Sequence, residues 1–333
     1  MEDILSTALA DSLTCPKIYD HADLQLPRTI LSSLVSLLVI SGNSLCLVCL
    51  RKSQAFGGTT RVFMTSLTIA DLMMGVFICV PSSTYATISG WVLGYPTCLV
   101  TAHLNFYLVT MSVLSLLLVS LNRFISVVRP FWYQTITPSQ ATVTVVVSWV
   151  MALVFSLVVL FTGGINVCFD AMLNICIPLS AQKELGISIS TVTSFVVVIV
   201  VSYLLTIGIY VRLYLIARRH LRQMNNREAN DNPAGHVQLP LNKATITFAI
   251  VTVAFGVAYI PMILIAVDYF INGTGCQLLI CGLAPLCTLS NSWWNVAIYS
   301  IRNAEFRETM KHVLQSAFIR RPRPQRVIPV VSS

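Results

Sequence analysis

A single acidic residue, Asp71, lies deep inside a long apolar stretch of this chain, in Ser66-Leu-Thr-Ile-Ala-Asp71-Leu. A charge at bilayer depth costs at least about 2.5 kcal/mol, so such a residue suggests a function. Other apolar stretches contribute neutral polar residues that can converge on it, namely Asn43, Ser112, Asn291, Ser292 and Asn295. Hard cations prefer oxygen ligands, so one carboxylate with several neutral oxygens suits an ion such as sodium. The alternative is a hydrogen-bonded cluster that only fixes helix packing.

Arg123 ends another apolar stretch, in Ser120-Leu-Asn122-Arg123-Phe124. A guanidinium at such a position either extends to the bilayer surface or binds a partner there. His103 has no second His or Cys at metal-ligand spacing, so we expect it to face water or a loop. The sequence shows no nucleophile motif, phosphate loop or paired carboxylates. We therefore expect no enzyme activity, no cofactor, and no metal beyond a sodium ion.

The elements that position these residues are membrane helices. The chain is 56% hydrophobic and 10% charged, whereas soluble domains are about 25% charged. A helix crosses the hydrocarbon core with roughly 20 apolar residues, and continuous apolarity does not fit the alternation of barrel strands. The predicted fold is an all-α, seven-transmembrane helix bundle, with spans at Thr29–Leu50, Val62–Thr84, Ala102–Ser120, Val143–Thr162, Ile187–Tyr210, Ala244–Phe270 and Leu278–Ser300.

Basic residues predict the orientation of the bundle. All but three of the 21 Lys and Arg residues, the exceptions being Lys17, Arg28 and Lys183, lie in the loops after spans one, three and five or beyond span seven. The positive-inside rule then places the N-terminus outside the cell and the C-terminus in the cytosol. Residues 1–23 show no signal-peptide pattern, so span one would direct insertion. The net charge of +8 reflects topology, and we expect no nucleic-acid partner.

The predicted segments are an extracellular N-terminal segment (1–28), the bundle (29–300), an amphipathic interfacial helix (301–317) and a disordered cytosolic tail (318–333). The amphipathic helix places Phe306, Met310, Val313 and Leu314 on one face. Gln223–Gln238, between spans five and six, resembles a linker. The arginines near the chain end would lie against anionic lipid.

Ten cysteines divide by compartment. Cys46, Cys49, Cys79 and Cys287 lie in apolar spans and are expected to pack as small side chains. Four others lie on the oxidising side with their connectivity open, namely Cys15, Cys98, Cys168 and Cys176. Cys276 and Cys281 either pair or stay free. Asn272-Gly-Thr is a glycosylation sequon in a short outer loop.

Several short patterns, in order and across all seven spans, resemble those of class A (rhodopsin-like) G-protein-coupled receptors. They are Gly42-Asn43, Ser66-Leu67, Ala70-Asp71, Cys98, Asn122-Arg123-Phe124, Trp149, Tyr210, Phe255, Pro261 and Asn295-Val-Ala-Ile-Tyr299. Within the family, the segment from Tyr210 to His220 looks most like aminergic and trace-amine receptors.

The resemblance implies roles for particular residues. Cys98 would bridge to Cys176 or Cys168, and if Cys176 takes that bond, Cys168 would join Cys15. The sodium-site hypothesis gains weight, with Asp71, Ser112, Asn291 and Asn295 as its residues. Arg123 would meet a heterotrimeric G protein when helix six moves outward. The other residues implied in activation are Asn122, Tyr210, Phe255, Pro261, Asn295 and Tyr299.

The sequence also departs from the family pattern. The acid usually beside the arginine is Asn122, and Leu241 supplies no replacement, so we expect a weak inactive-state restraint and basal signalling. Tyr259 replaces a tryptophan, while Val296 and Ser202 replace prolines at which helices bend.

Amine receptors hold the ligand ammonium with an aspartate in helix three. The corresponding residue here is Asn105, which offers hydrogen bonds but no charge. Asp268 or Asp170 would have to substitute, unless both are loop acids. The remaining predicted pocket residues, which could instead be core, are Phe106, Val109, Thr191, Ser194, Phe195, Tyr259, Met262, Ile263 and Thr288. This set suits a small ligand, amine-like or neutral and aromatic. Leu289 stands where an opsin has the lysine that binds retinal, so a retinal Schiff base is excluded.

The sequence thus predicts a plasma-membrane receptor whose partners are a small extracellular molecule, a heterotrimeric G protein and membrane lipid. One alternative is a receptor-like protein that has lost signalling, because Asn122, Tyr259 and Val296 are atypical. The other is a transporter, but the sequence shows no internal repeat or broken helix of the kind transporters use.

Overall fold

The computed structural model describes residues 25–53, 56–88, 91–163, 166–170, 174–178, 189–231, 243–272 and 278–318. Its helices are α1 (Gln25–Lys52), α2 (Gly58–Met74), α3 (Val80–Ile88), α4 (Tyr95–Val128), α5 (Pro130–Thr135), α6 (Pro138–Gly163), α7 (Ile189–Asp231), α8 (Lys243–Asn272), α9 (Leu278–Arg302) and α10 (Ala304–Phe318). Span one is α1, span two is α2 and α3 joined by a π-helical turn, and spans three to seven are α4, α6, α7, α8 and α9.

The predicted bundle of seven membrane helices is confirmed. In the described part of the chain, six helices are long and apolar enough to cross a membrane, and α9 is the seventh. Helices satisfy every backbone hydrogen bond internally, which the hydrocarbon core requires. Spans two and three are the most buried, whereas spans four and five expose most of their apolar side chains, as expected of lipid-facing helices.

The segment between spans five and six differs from its prediction. The linker predicted at Gln223–Gln238 is helical as far as Asp231, because α7 continues beyond its apolar part. Gln, Met, Arg, Glu and Ala are good helix formers, so the helix persists after the hydropathy signal has ended. The remainder of the linker, residues 232–242, lies outside the described residues, as does Leu241.

The helix predicted after span seven is present as α10. It begins at Ala304 rather than at residue 301, because Ile301 and Arg302 still belong to span seven. Asn303 caps it, since the Phe306 N–H donates to Asn303 Oδ1 at 3.1 Å. Phe306 is fully buried. On the exposed face a Lys311–Glu308 ion pair of 2.9 Å lowers the pKa of Glu308.

A π-helical turn, Gly75–Cys79, interrupts span two just after Asp71. A β carbon at Gly75 would lie 2.8 Å from Val39 Cγ1 of span one, so glycine permits the two helices to approach here. The sequence did not predict this turn.

The loop between spans four and five contains two short antiparallel strands, β1 (Val167–Asp170) and β2 (Ile175–Pro178), which the all-α prediction missed. Cys176 of β2 forms a disulfide with Cys98 of span three, which confirms one of the two predicted alternatives. Cys168 is also disulfide-bonded. Its proposed partner Cys15 lies outside the described residues, as do Cys276 and the side chains of Cys281 and Asn272.

Candidate functional site

A cavity of about 130 Å³ lies between spans three, five and six and strand β2, at the end of the bundle that the predicted topology places outside. The disulfide fixes β2 over the end of span three, so the strand forms one wall. Six predicted ligand-binding residues line the cavity, namely Asn105, Phe106, Phe195, Tyr259, Met262 and Ile263. Phe106 and Phe195 have ring centroids 6.0 Å apart and form an aromatic surface. None of the described lining residues is an acid, a lysine or an arginine.

The structure does not place the other predicted ligand-binding residues in this lining. Val109, one turn deeper than Asn105, is buried in the main hydrophobic core. The Thr288 hydroxyl donates to Ala284 O of its own helix at 2.9 Å. Ser194 is partly buried away from the lining, and the Thr191 side chain lies outside the described part of the structure. The proposed substitute acids, Asp170 and Asp268, are also absent from the lining.

His103 is a lining residue that sequence reasoning missed. It was expected to face water or a loop, yet its Nε2 is buried and has no hydrogen-bond partner in the described part of the chain. The Ser156 hydroxyl of span four donates to His103 O at 3.4 Å, next to the side chain. His103 and Phe106 are three residues apart and therefore lie on one helix face. This spacing could have predicted that His103 lines the cavity. The contribution of β2 depends on tertiary structure and had no signal in the sequence.

Three of the five polar residues predicted to converge on Asp71 hydrogen-bond its carboxylate. The Ser112 hydroxyl donates to Asp71 Oδ1 at 3.2 Å, and Asn295 Nδ2 donates to Oδ2 at 2.9 Å. Ser292 also hydrogen-bonds the carboxylate. Asp71 is 1% exposed, and Asn291 is buried one turn before Asn295 in span seven. Hydrogen bonds from spans three and seven therefore satisfy this buried carboxylate.

Asn43 extends the polar cluster into span one. Its Nδ2 donates to Val39 O at 2.9 Å and to Ser292 O at 3.0 Å. Its Oδ1 is buried and has no hydrogen-bond donor among the residues that the structure describes. The cluster therefore contains one buried oxygen that the described protein groups leave unsatisfied.

At the opposite end of the bundle, Arg123 has neutral partners only among the described residues. Arg123 Nη2 donates to Thr60 Oγ1 of span two at 2.8 Å, and the guanidinium carbon lies 5.1 Å from the ring centroid of Phe248 in span six. Asn122 Nδ2 donates to the same Thr60 oxygen at 2.9 Å. Sequence reasoning missed Thr60 and Phe248, and it predicted only that an acid was lacking.

The other predicted activation residues surround Arg123 or connect it to the cavity. Tyr210 accepts a 3.1 Å hydrogen bond from Ser120 and also bonds Thr252 of span six. Tyr299 is buried, with its ring 5.8 Å from that of Phe248. Phe255 stacks on Tyr259 at 4.4 Å, and Pro261 lies inside the same helix.

Spans five and six meet closely at Gly256. A β carbon added there would collide with the phenol end of Tyr203, so the tyrosine occupies the space that glycine leaves. Tyr203 also lies 6.2 Å from the Phe255 ring. This contact fixes span six against span five midway between the two ends of the bundle.

Comparison with known proteins agrees with this architecture. Residues 42–299 match the family model described as 7 transmembrane receptor (rhodopsin family). The trace amine-associated receptor 13c of Danio rerio is 24% identical over 323 residues, which cover 90% of this chain and 89% of that protein. The human (Homo sapiens) adenosine receptor A2a is 26% identical, with 87% of this chain and 72% of the receptor covered. The histamine H2 receptor of Rattus norvegicus is 23% identical, with 90% and 82% covered. The chain is a multi-pass membrane protein that belongs to the rhodopsin family of seven-transmembrane receptors.

Proposed function

We propose that this protein is a plasma-membrane G-protein-coupled receptor that binds a small extracellular molecule in the outer cavity. Its N-terminus would lie outside the cell, as the distribution of Lys and Arg predicts. The observation that carries the proposal is that span six takes part in both sites. Tyr259, Met262 and Ile263 line the cavity, while Phe248 of the same helix covers Arg123.

Span six gives a physical route from ligand to G protein. Phe248 and Tyr259 are eleven residues apart, which is about 16 Å along a helix. A ligand that binds better when span six is displaced would shift the population towards a state in which Phe248 leaves Arg123. The guanidinium would then be free to meet a G protein, with Tyr210 and Tyr299 beside it. The Phe255–Tyr259 stack lies between the two ends.

The cavity favours a neutral ligand over an ammonium. An ammonium ion transferred from water into a lining without an acid would be poorly compensated. The neutral polar side-chain groups in the lining are the Asn105 amide, the His103 imidazole and the Tyr259 hydroxyl, and the remaining walls are aromatic and aliphatic. The ligand would be small, with an apolar or aromatic body and one hydrogen-bonding group for His103 or Asn105. Two of the named relatives are receptors for amines, and the third is a receptor for adenosine.

We also propose that the Asp71 cluster is a sodium site that regulates ligand binding. The residues fit a sodium ion, because the Asp71 carboxylate and the Ser112 and Ser292 hydroxyls provide convergent oxygens. Asn291 and Asn295 would complete the site from span seven, and the unpartnered Asn43 Oδ1 lies on its span-one side. A bound cation would neutralise a buried carboxylate that hydrogen bonds alone now compensate.

The decisive experiment measures nucleotide exchange on a panel of heterotrimeric G proteins in membranes from cells expressing this chain. The first arm has no ligand, and the second uses biogenic amines and small neutral aromatic compounds. An epitope at the N-terminus, stained on intact cells, checks both surface expression and orientation. Exchange in either arm, absent in an Arg123→Ala variant with equal surface staining, is the expected result. Silence in both arms at confirmed surface expression would favour the receptor-like protein that does not signal.

A further inference from the structure

The lipid-facing surface between spans three and five contains a groove that the proposed receptor function does not use. Its walls are Phe124 of span three and Val201, Leu204 and Leu205 of span five, and it encloses about 480 Å³. Leu204 and Leu205 are 60% and 54% exposed, so the groove opens to the surface of the bundle. We refer to it as the 3–5 groove.

Gly208 makes the 3–5 groove deep. A β carbon added at this residue would meet no atom within 4 Å, so the missing side chain leaves open space rather than a helix contact. Glycine inside a helix costs roughly 0.5–1 kcal/mol relative to alanine. Here that cost is not offset by close packing against another helix, in contrast to Gly256.

The 3–5 groove ends in one cation, Arg212. Among the residues that the structure describes, no carboxylate forms an ion pair with Arg212. From Val201 to Arg212 the groove follows eleven residues, or about 16 Å of helix. That length is close to half of a hydrocarbon core of about 30 Å, which is the depth of one lipid leaflet.

An apolar channel one leaflet deep that ends in an unpaired guanidinium matches a single class of membrane component. We propose that the 3–5 groove binds an anionic phospholipid of the cytosolic leaflet. One acyl chain lies along Leu204, Leu205 and Gly208, and the phosphate contacts Arg212. The assignment to the cytosolic leaflet depends on the proposed topology, but binding itself does not depend on signalling.

The test is native mass spectrometry of the full-length receptor purified in detergent. The probes are phosphatidylserine and phosphatidylcholine with identical acyl chains, added in competition. The wild-type protein should retain phosphatidylserine about five-fold better, the factor expected for one basic side chain at an anionic surface. Arg212→Gln should remove this preference. Arg218→Gln, on a different face of the same helix, should keep it.

The second variant pair tests the apolar part of the groove. Gly208→Leu fills the groove. Because a β carbon at Gly208 would meet no atom within 4 Å and leucine favours helices more than glycine does, the helix should be as stable as before or more stable. Retention of both phospholipids should fall, whereas Gly208→Ala, which leaves most of the space, should bind as the wild type does. The proposal is overturned if Arg212→Gln keeps the phosphatidylserine preference, if Arg218→Gln loses it equally, or if Gly208→Leu retains lipid unchanged. Selective retention of a sterol in place of phosphatidylserine would also overturn it.

Discussion

The contact between Arg123 and Phe248 should set the basal activity of this receptor, and Phe248→Leu is the perturbation that isolates it. Phe248 is fully buried in span six, and its ring lies 5.1 Å from the guanidinium carbon. Leucine keeps an apolar side chain at this position but has no π system. The variant therefore removes the attraction between span six and Arg123 while it preserves most of the apolar packing.

The magnitude follows from the geometry. A cation over an aromatic face is worth about 0.5–1 kcal/mol when exposed and about 2 kcal/mol when desolvated. Arg123 is partly buried, so we take about 1 kcal/mol. We call the state in which Phe248 covers Arg123 closed and the state in which it has left open. The contact exists only in the closed state, so the full free energy lost with the contact shifts the equilibrium towards the open state. Because 1.4 kcal/mol corresponds to a factor of ten, the loss of about 1 kcal/mol should raise the population of the open state about five-fold. Lost ring contacts with Phe56 and Tyr299 act in the same direction.

The assay is ligand-free nucleotide exchange, normalised to receptor at the cell surface. Val253→Leu is the matched control, because Val253 is 60% exposed on the same helix and faces lipid. We expect a several-fold rise for Phe248→Leu and none for Val253→Leu. Unchanged or lower exchange in Phe248→Leu, at equal surface expression, would refute the view that this ring restrains Arg123.

Four further outcomes are expected. Asn122→Asp places a carboxylate beside Arg123 and should lower ligand-free exchange several-fold; an unchanged rate would contradict the weak-restraint hypothesis. Asp71→Asn removes the buried charge and should abolish the sodium dependence of ligand binding, measured by titrating sodium against potassium, and persistent dependence would place the cation elsewhere. His103→Leu should weaken ligand binding about ten-fold in competition assays, which is the loss of roughly one hydrogen bond. The melting temperature should not fall, because no described residue hydrogen-bonds His103 Nε2; a large fall would indicate a structural role instead. Asn105→Asp should create a response to biogenic amines, and continued indifference to amines would mean that the cavity is not the ligand site.

The spans were predictable because hydrocarbon permits little besides helices, so a long apolar run determines both secondary structure and location. The ends of the helices were less predictable. Span three was predicted as Ala102–Ser120 and extends over Tyr95–Val128, since hydropathy marks only the part inside lipid. The strands β1 and β2 have four residues each, too short for a periodic signal. The π-helical turn after Asp71 depends on how span two packs against Val39, which local sequence does not encode.

The residues of the candidate sites also differ in how well the sequence predicted them. Asp71, Ser112 and Asn295 were recognisable because polar residues in apolar spans are few and their depths agree. Depth within the outer cavity was harder to assign. Val109 lies one turn too deep, and Thr288 satisfies its hydroxyl on its own helix. His103 entered the cavity lining unpredicted, since a lone histidine on an apolar helix has several common fates. Such assignments require side-chain directions as well as positions along a helix.

The partners of Arg123 show why a missing residue is weaker evidence than an observed contact. Asn122 in place of an acid predicts only that its side chain forms no ion pair with Arg123, and in the structure its amide donates to Thr60 Oγ1. The structure adds that Thr60 and Phe248 contact Arg123. Neither a threonine hydroxyl nor a phenylalanine ring titrates near neutral pH, and a cation–π contact depends little on mobile ions when it is buried. Restraint by these groups should therefore be weaker than an ion pair but nearly independent of pH and ionic strength. In the Asn122→Asp variant the restraint should be stronger but should depend on pH, because the introduced carboxylate restrains Arg123 only while it is ionised.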